Sequence, residues 1–115
     1  MTRMTVKQIA TALGCEVLSG AKHLGRDVLG GYASDLLSCA MASVKAGDVW
    51  VTLQAHQNVV AVASLTEAAC VIISEGKQPD AATIERAEAE GVVLLATSRD
   101  TFATITELAQ LGVES

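Results

Sequence analysis

The sequence of 115 residues is short of aromatic residues, proline and basic residues. Aromatic residues make up only 3% of it, so a core must be built from Ala, Val, Leu and Ile, within a hydrophobic fraction of 50%. Eight Lys and Arg residues stand against thirteen Asp and Glu residues, which gives a formal net charge of −5 at pH 7. Nucleic acid and anionic membrane surfaces are therefore poor partners for the molecule as a whole. The length predicts a single domain over residues 1–115.

The sequence also lacks the short motifs that mark common catalytic and cofactor sites. It has no GxxxxGK[ST] phosphate loop, no GxGxxG, no GxSxG, no HExxH and no CxxC. Cys15, Cys39 and Cys70 are odd in number and far apart, which is typical of reduced, largely buried thiols in a cytoplasmic protein. No signal peptide and no apolar run of membrane-spanning length is present. We expect a cytoplasmic protein with no catalytic residue, no metal and no cofactor, and a binding module is favoured over a catalyst.

Three apolar runs organise the chain. They lie at 49–53, 70–73 and 92–96. None alternates polar with apolar residues, and unbroken runs of this length suit strands covered on both faces. The intervening segments 58–69 and 80–90 have the length of crossover helices, and a last helix is predicted over about 101–111. Because crossovers are right-handed, the strands should be parallel. The pattern predicts a three-layer α/β fold with a mostly parallel sheet and helices on both faces.

The N-terminal part of the chain predicts smaller elements around this unit. Thr5 and Gln8 have the spacing of a capping box at the start of a short amphipathic helix. Residues 15–19 then predict an edge strand. Further on, Ser34 or Asp35 is predicted to cap another short helix.

The predicted helix 58–69 is apolar almost all the way round. Such a helix is either sandwiched inside the fold or meets a partner with one of its faces. A chain this small has little interior, and its mean hydropathy is +0.40. We therefore favour a homodimer contact through this helix.

Polar loops follow the three predicted strands, at 54–58, 74–78 and 97–101. If the strands are parallel, these loops meet at the edge where open α/β sheets bind ligands. Each loop precedes a helix N-terminus, whose backbone N–H groups and positive dipole end favour an anion. The candidate ligand-binding residues are Gln54, His56, Asn58, Ser74, Gly76, Lys77, Ser98, Arg99, Asp100 and Thr101.

Within this set, the side chains of Lys77 and Arg99 would balance negative charge, and the backbone N–H groups near Gly76 and Thr101 would bind ligand oxygens. The alternative is that the loops are polar only because they cap helices. His56 is a candidate base or pH-sensitive group, or else an exposed histidine with no special task. Asp100 is interpreted more simply as a helix N-cap.

Three stretches carry a resemblance to a known family: GGYASDLLS at 30–38, VKAGDVWVT at 44–52 and SRDTFAT at 98–104. Together they resemble the DRTGG domain, most of all its small stand-alone members, over about 28–111, with residues 1–27 adding the N-terminal helix and edge strand. The resemblance implies an α/β domain related to the N-terminal domains of HPr kinase and the Mur ligases, without a kinase domain. It also implies a regulatory, dimer-forming and nucleotide-sensing role.

The chain departs from the motif that names the family. Ala55 and His56 stand near the expected Asp-Arg pair, and Ser74, Glu75 and Gly76 stand where Thr-Gly-Gly is expected. The main hypothesis is a non-catalytic regulatory or ligand-binding module that senses an adenine nucleotide or another small anion. One alternative is a protein-interaction adaptor that docks a partner enzyme through helix 58–69 without any small-molecule ligand. Another is a phosphoryl-transfer or hydrolytic enzyme that uses His56 and Asp100.

Overall fold

The computed structural model describes residues 3–115. In chain order the elements are α1 (Val6–Leu13), β1 (Glu16–Ser19), a 3₁₀ turn (Ala21–His23), β2 (Gly30–Ala33), α2 (Leu37–Ser43), β3 (Asp48–Thr52), α3 (Asn58–Thr66), β4 (Cys70–Ile73), α4 (Ala81–Ala89), β5 (Leu94–Ala96) and α5 (Thr101–Gln110). The three central strands and the three helices that follow them were all predicted from the sequence, with shifts of a few residues at their ends.

The strands form one mixed sheet in the order β1-β5-β4-β3-β2. Strands β2, β3, β4 and β5 pair in parallel, whereas β1 pairs antiparallel with β5. Each crossover from β2 to β5 advances one strand in the same direction, so right-handed connections place α2, α3 and α4 on one face. Strand β1 lies at one edge, as predicted for 15–19, and β2 lies at the other.

Successive strand residues face opposite layers of the molecule. Val49 and Val51 of β3 pack with α1 and α5, whereas Trp50 between them packs with α2, α3 and α4. The indole Nε1 of Trp50 donates a hydrogen bond of 3.1 Å to the backbone oxygen of Ser34. Because both faces are covered by helices, the central strands have no polar face, which explains their unbroken apolar runs.

The helix caps confirm one prediction and correct another. At the start of α1 the Thr5 and Gln8 side chains form the predicted capping box. The predicted cap of α2 by Ser34 or Asp35 is wrong, because this helix begins after Leu36 without a side-chain cap. The Asp35 carboxylate instead accepts the backbone N–H of Leu53 at 2.8 Å. β2 ends beside β3, so this carboxylate reaches the N–H at the end of the neighbouring strand rather than the helix.

The cysteines are less uniformly buried than their spacing suggested. Cys70 is buried and Cys15 partly buried, but Cys39 is exposed on α2. Burial raises the pKa of the Cys70 thiol to about 12 and that of the Cys15 thiol to about 11. Both thiols are therefore protonated at neutral pH and weakly nucleophilic.

Helix α3 is the middle helix of its layer, between α2 and α4. Val59, Val60 and Ala63 are buried, and Leu65 is 70% exposed. Three of its nine residues are buried and the others are partly or fully exposed, so the helix is only partly sandwiched, and the homodimer contact through it stays a prediction. No helix within residues 3–115 has the length and apolarity needed to cross a bilayer.

Candidate functional site

The loops that follow β3, β4 and β5 meet at one edge of the sheet, because these strands are parallel neighbours. From that edge the chain after β4 runs to α4 on one face, and the chain after β5 runs to α5 on the other. Adjacent loops that part in this way define the switch point at which open α/β sheets place ligands. We call this region the carboxyl edge.

A tight turn after β4 joins the two diverging loops. Glu75 and Gly76 both have positive φ, 65° and 68°. Their N–H groups donate to the backbone oxygens of Arg99, at 2.8 Å, and Thr97, at 3.0 Å. A Cβ on Gly76 would meet nothing within 4 Å, so the turn needs glycine there for its backbone angle and not for space.

The N-terminus of α5 is occupied by protein carboxylates. Glu75 Oε2 accepts the backbone N–H of Thr101 at 2.8 Å, and Asp100 Oδ1 accepts that of Ala103 at 2.6 Å. The hydroxyl groups of Ser74 and Thr101 share a hydrogen bond of 2.7 Å. Asp100 is thus the predicted N-cap. The N–H groups of Gly76 and Thr101, expected to bind a ligand, are engaged by protein acceptors in this conformation.

The Arg99 side chain turns away from the other candidate residues. It forms an ion pair with Glu107, the seventh residue of α5. The Nη1 atom of Arg99 is buried and has no hydrogen-bond partner within the described residues. Its charge also opposes the effect of burial on the pKa of the Cys15 thiol. Arg99 is therefore already balanced by one carboxylate of this chain, while Ser98 beside it is exposed.

The N-terminus of α3 differs from those of α4 and α5. The backbone N–H of Asn58 donates to His56 Nδ1 at 3.1 Å, and those of Val59 and Val60 donate to the backbone oxygens of His56 and Gln57 at 2.9 and 3.0 Å, so that no carboxylate takes part. At α4, by contrast, Asp80 Oδ1 accepts the N–H of Thr83 at 2.8 Å, and hydrogen bonds from Thr83 hold the pKa of Asp80 below its ordinary value. Of the three helices that the predicted site involves, α3 alone begins without a carboxylate.

The remaining candidate residues lie near the start of α3 or on the turn after β4. Gln54 Nε2 donates to the backbone oxygen of Asp35 at 3.2 Å, which ties the loop after β3 to the end of β2. Lys77 is exposed and has no salt bridge to the part of the chain that is described. The sequence reasoning missed that Asp35 belongs to this edge. The sequence did carry a signal for this placement. Asp35 follows an extended segment, just as the other three candidate loops follow predicted strands.

The candidate residues form an open surface of loops. Three cavities lie elsewhere, with volumes of about 450 Å³ near Arg26 and Glu67, about 230 Å³ beside α5, and about 550 Å³ near Met4. No predicted site residue lines any of these three. Within residues 3–115, no group of three His, Cys, Asp or Glu side chains could hold a metal ion.

The mixed sheet covered by helices on both faces places this chain in a class of small α/β domains. A family model described as DRTGG domain matches residues 8–111. The chain belongs to the DRTGG domain family. The match starts within α1, so it takes in the N-terminal helix and edge strand that the resemblance over 28–111 left outside.

One solved structure with the same fold contains the CBS and DRTGG domains of the regulatory region of Clostridium perfringens pyrophosphatase, complexed with its activator, diadenosine tetraphosphate. The two share a TM-score of 0.74 at 14% sequence identity, over 92% of this chain and 46% of that chain. This chain thus spans less than half of that structure's length, and the likeness is one of fold. No curated protein matches the sequence.

Proposed function

We propose that this chain is a non-catalytic regulatory module that binds a small anionic ligand, with an adenine nucleotide as the first choice, at the carboxyl edge. The observation that carries the proposal is that α3 begins without a carboxylate. Within the described residues, its first N–H groups donate only to His56 Nδ1 and to the backbone oxygens of His56 and Gln57. A helix N-terminus favours an anion through its N–H groups and its dipole.

The electrostatics of the edge select one part of the candidate set. An added anion would be repelled by Asp80 at α4 and by Glu75 and Asp100 at α5. At α3 it would meet the imidazole of His56 and the uncharged side chains of the same loop, with the carboxylate of Asp80 close enough to interact with His56. In this proposal Gln54, His56, Asn58 and Lys77 contact the anionic group. Ser74, Gly76, Ser98, Arg99, Asp100 and Thr101 form the opposite wall.

The comparison with the pyrophosphatase supports a nucleotide and a regulated enzyme. That structure is a regulatory region and contains a dinucleotide activator. We carry this to the present chain as a proposal, and with it a homodimer, a cytoplasmic location, a partner enzyme and a relation to the N-terminal domains of HPr kinase and the Mur ligases. We do not favour the enzyme hypothesis, because the side chains of His56 and Asp100 each accept a backbone N–H at the start of a helix.

A thermal-shift panel tests the ligand. The full chain is heated with ATP, ADP, diadenosine tetraphosphate, a sugar phosphate and acetyl phosphate, because a ligand at about 100 times its Kd stabilises the native state by roughly 2.7 kcal/mol. We expect a shift with one nucleotide class that is lost in Lys77→Ala and in His56→Ala. The matched control is Lys45→Ala, an exposed lysine in the turn before β3 at the opposite edge, which should keep the shift.

Two outcomes would overturn the proposal. A shift that persists in both Lys77→Ala and His56→Ala would move the ligand to another site. Silence across the panel would favour the adaptor, whose support is Leu65, 70% exposed on α3. In that case Leu65→Asp should abolish assembly with the partner. Val60→Asp is unsuitable for that test, because Val60 is fully buried in the chain's own core.

A further inference from the structure

A cavity of about 230 Å³ lies between α5 and the β2 edge of the sheet. Its floor includes Val49 and Val51 of β3, both buried, and its wall includes Ile105, Leu108 and Ala109 of α5. All five side chains are apolar. Because an engineered apolar cavity of about 150 Å³ binds benzene, this cavity has room for one aromatic ring and a small substituent.

Small residues of β2 keep the cavity open. Gly31 and Ala33 border it beside the floor. A Cβ on Gly31 would lie 3.0 Å from Cγ1 of Val113, which borders the same cavity, so glycine leaves space that any other residue would take. Tyr32 packs its side chain on the opposite face of the sheet, so it borders the cavity through its backbone. The cavity therefore reaches the backbone of the edge strand.

The backbone of β2 presents one free acceptor and one free donor at this edge. The N–H of Ser34 donates to the backbone oxygen of Val51 in β3, so the N–H of Ala33, one residue earlier, points away from β3. The N–H and C=O of Gly31 point the same way, and this N–H donates to the backbone oxygen of Glu114 at 2.9 Å. The Gly31 C=O and the Ala33 N–H have no hydrogen-bond partner in the described part of the chain.

Three features restrict what the cavity can bind. The free groups are a single acceptor beside a single donor, whereas an extended peptide added to a sheet edge pairs along several residues. Glu114 borders the cavity with an exposed side chain, and the chain has a net charge of −5, so an anion is disfavoured. A neutral planar molecule with a donor beside an acceptor satisfies both backbone groups, and its ring fills the apolar space.

We propose that this cavity binds a small neutral aromatic amide. The amide N–H donates to the Gly31 C=O, the amide oxygen accepts the Ala33 N–H, and the ring lies between Val51 and Ala109. The cavity is on the α5 face of the sheet, whereas the anion proposed above binds at α3 on the other face. The site therefore goes beyond the proposed function and does not depend on it. It gives the module a place for a second effector, neutral where the first is anionic.

An NMR titration of the isotope-labelled chain with benzamide tests the site. We expect the backbone amide signals of Gly31 and Ala33 to shift, with a Kd of about 1 mM for so small a ligand. Two matched compounds test the chemistry. N,N-dimethylbenzamide lacks the donor and benzoate is anionic, so each should bind at least about 10-fold more weakly than benzamide.

Three variants test the location. Ala109→Trp fills the cavity from an exposed position of α5 and should abolish the shifts. Gln110→Trp is the matched control, because it makes the same change at the next exposed residue, which does not border the cavity, and it should keep them. Ala33→Pro removes the donor N–H, a change that an edge strand tolerates, and should weaken binding at least about 10-fold. If Ala33→Pro does not fold, Ala109→Trp decides.

The outcomes separate this site from the anion at the carboxyl edge. Unchanged Gly31 and Ala33 signals up to about 10 mM benzamide would overturn the aromatic amide site and leave the anion proposal standing. Binding that survives in Ala109→Trp, or that is equally tight for N,N-dimethylbenzamide, would contradict it as well. Lys77→Ala should leave the benzamide affinity unchanged, and a loss in that variant would move the ligand to the carboxyl edge.

Discussion

Helices α3 and α5 start from the same edge of the sheet and lie on its opposite faces. They differ in which part of each helix is exposed to solvent. Helices α2 and α4 flank α3, and its N-terminus donates to His56 Nδ1 and to backbone oxygens without any carboxylate. The N-terminus of α5 holds Asp100 and Glu75, but its outward face exposes Phe102. Within residues 3–115, α3 is the middle of three helices, whereas α1 is the one other helix on the face of α5. Position in the layer therefore bears on which part of each helix is exposed.

The largest predicted effect is a difference in the free energy of unfolding between two variants that each gain an aspartate, one on α3 and one on α5. Val60 of α3 is 0% exposed and Phe102 of α5 is 82% exposed. Val60→Asp should reduce the free energy of unfolding by more than about 4 kcal/mol, since it buries an unpaired charge. Phe102→Asp should change it by less than about 0.5 kcal/mol, as for most exposed sites. Urea denaturation measures both, and similar losses in the two variants would contradict the assignment of buried and open faces.

The sequence predicted the helices and strands better than it predicted how they pack against one another. Unbroken runs such as 70–73 identified strands covered on both faces, and Thr5 with Gln8 identified the start of α1. The burial of α3 was not readable from its own residues, because it depends on α2 and α4, which pack beside it only after two crossovers have formed. The exposure of Phe102 was likewise hidden, since it follows from the lack of a third helix beside α5 within the described residues.

A smaller effect is expected at the two N-termini. Asp100→Ala removes a charged cap from α5 and should cost about 1 kcal/mol of unfolding free energy. His56→Ala removes the Nδ1 acceptor of the Asn58 N–H at the start of α3 and should cost less than half of that. The comparison is made by urea denaturation of both variants at pH 7, with Ser98→Ala, an exposed neighbour outside any helix, as the control. Equal costs would mean that the α3 terminus is as well satisfied as that of α5, which would weaken the proposed anion site.

The candidate site shows where sequence reasoning stops. The convergence of the three loops follows from parallel strands and was predicted. The occupation of the α5 terminus by Glu75 was not, because it depends on a turn with two positive φ angles that brings a side chain across to a loop 26 residues further on. The pairing of Arg99, which precedes α5, with Glu107 within that helix was not predicted either, and a ligand at the proposed site would have to compete with Glu107 for this cation.

The smallest expected effect concerns α4, which lies beside α3 and has a carboxylate cap. Hydrogen bonds from Thr83 lower the pKa of Asp80 below 3.8 in the folded state. A lowered folded pKa means that this cap stabilises the protein above its ordinary pKa and that the contribution is lost as the pH falls through the folded value. The Tm difference between wild type and Asp80→Ala should therefore shrink between about pH 5 and about pH 2. A difference that grows on acidification would show that the charge of Asp80 has no part in the cap.

The antiparallel pairing of β1 with β5 affects the order in which the chain folds during synthesis. Glu16 pairs with Ala96, so β1 is made about 80 residues before its only strand partner among the described residues. Until then α1 lacks β5 and α5, against which its apolar face packs. Closing so long a segment is slow relative to the local crossovers. The parallel strands can assemble in the order in which they are made, and α1 and β1 dock after them, so the nascent chain exposes the apolar side chains of α1 and β1 until β5 and α5 have been made.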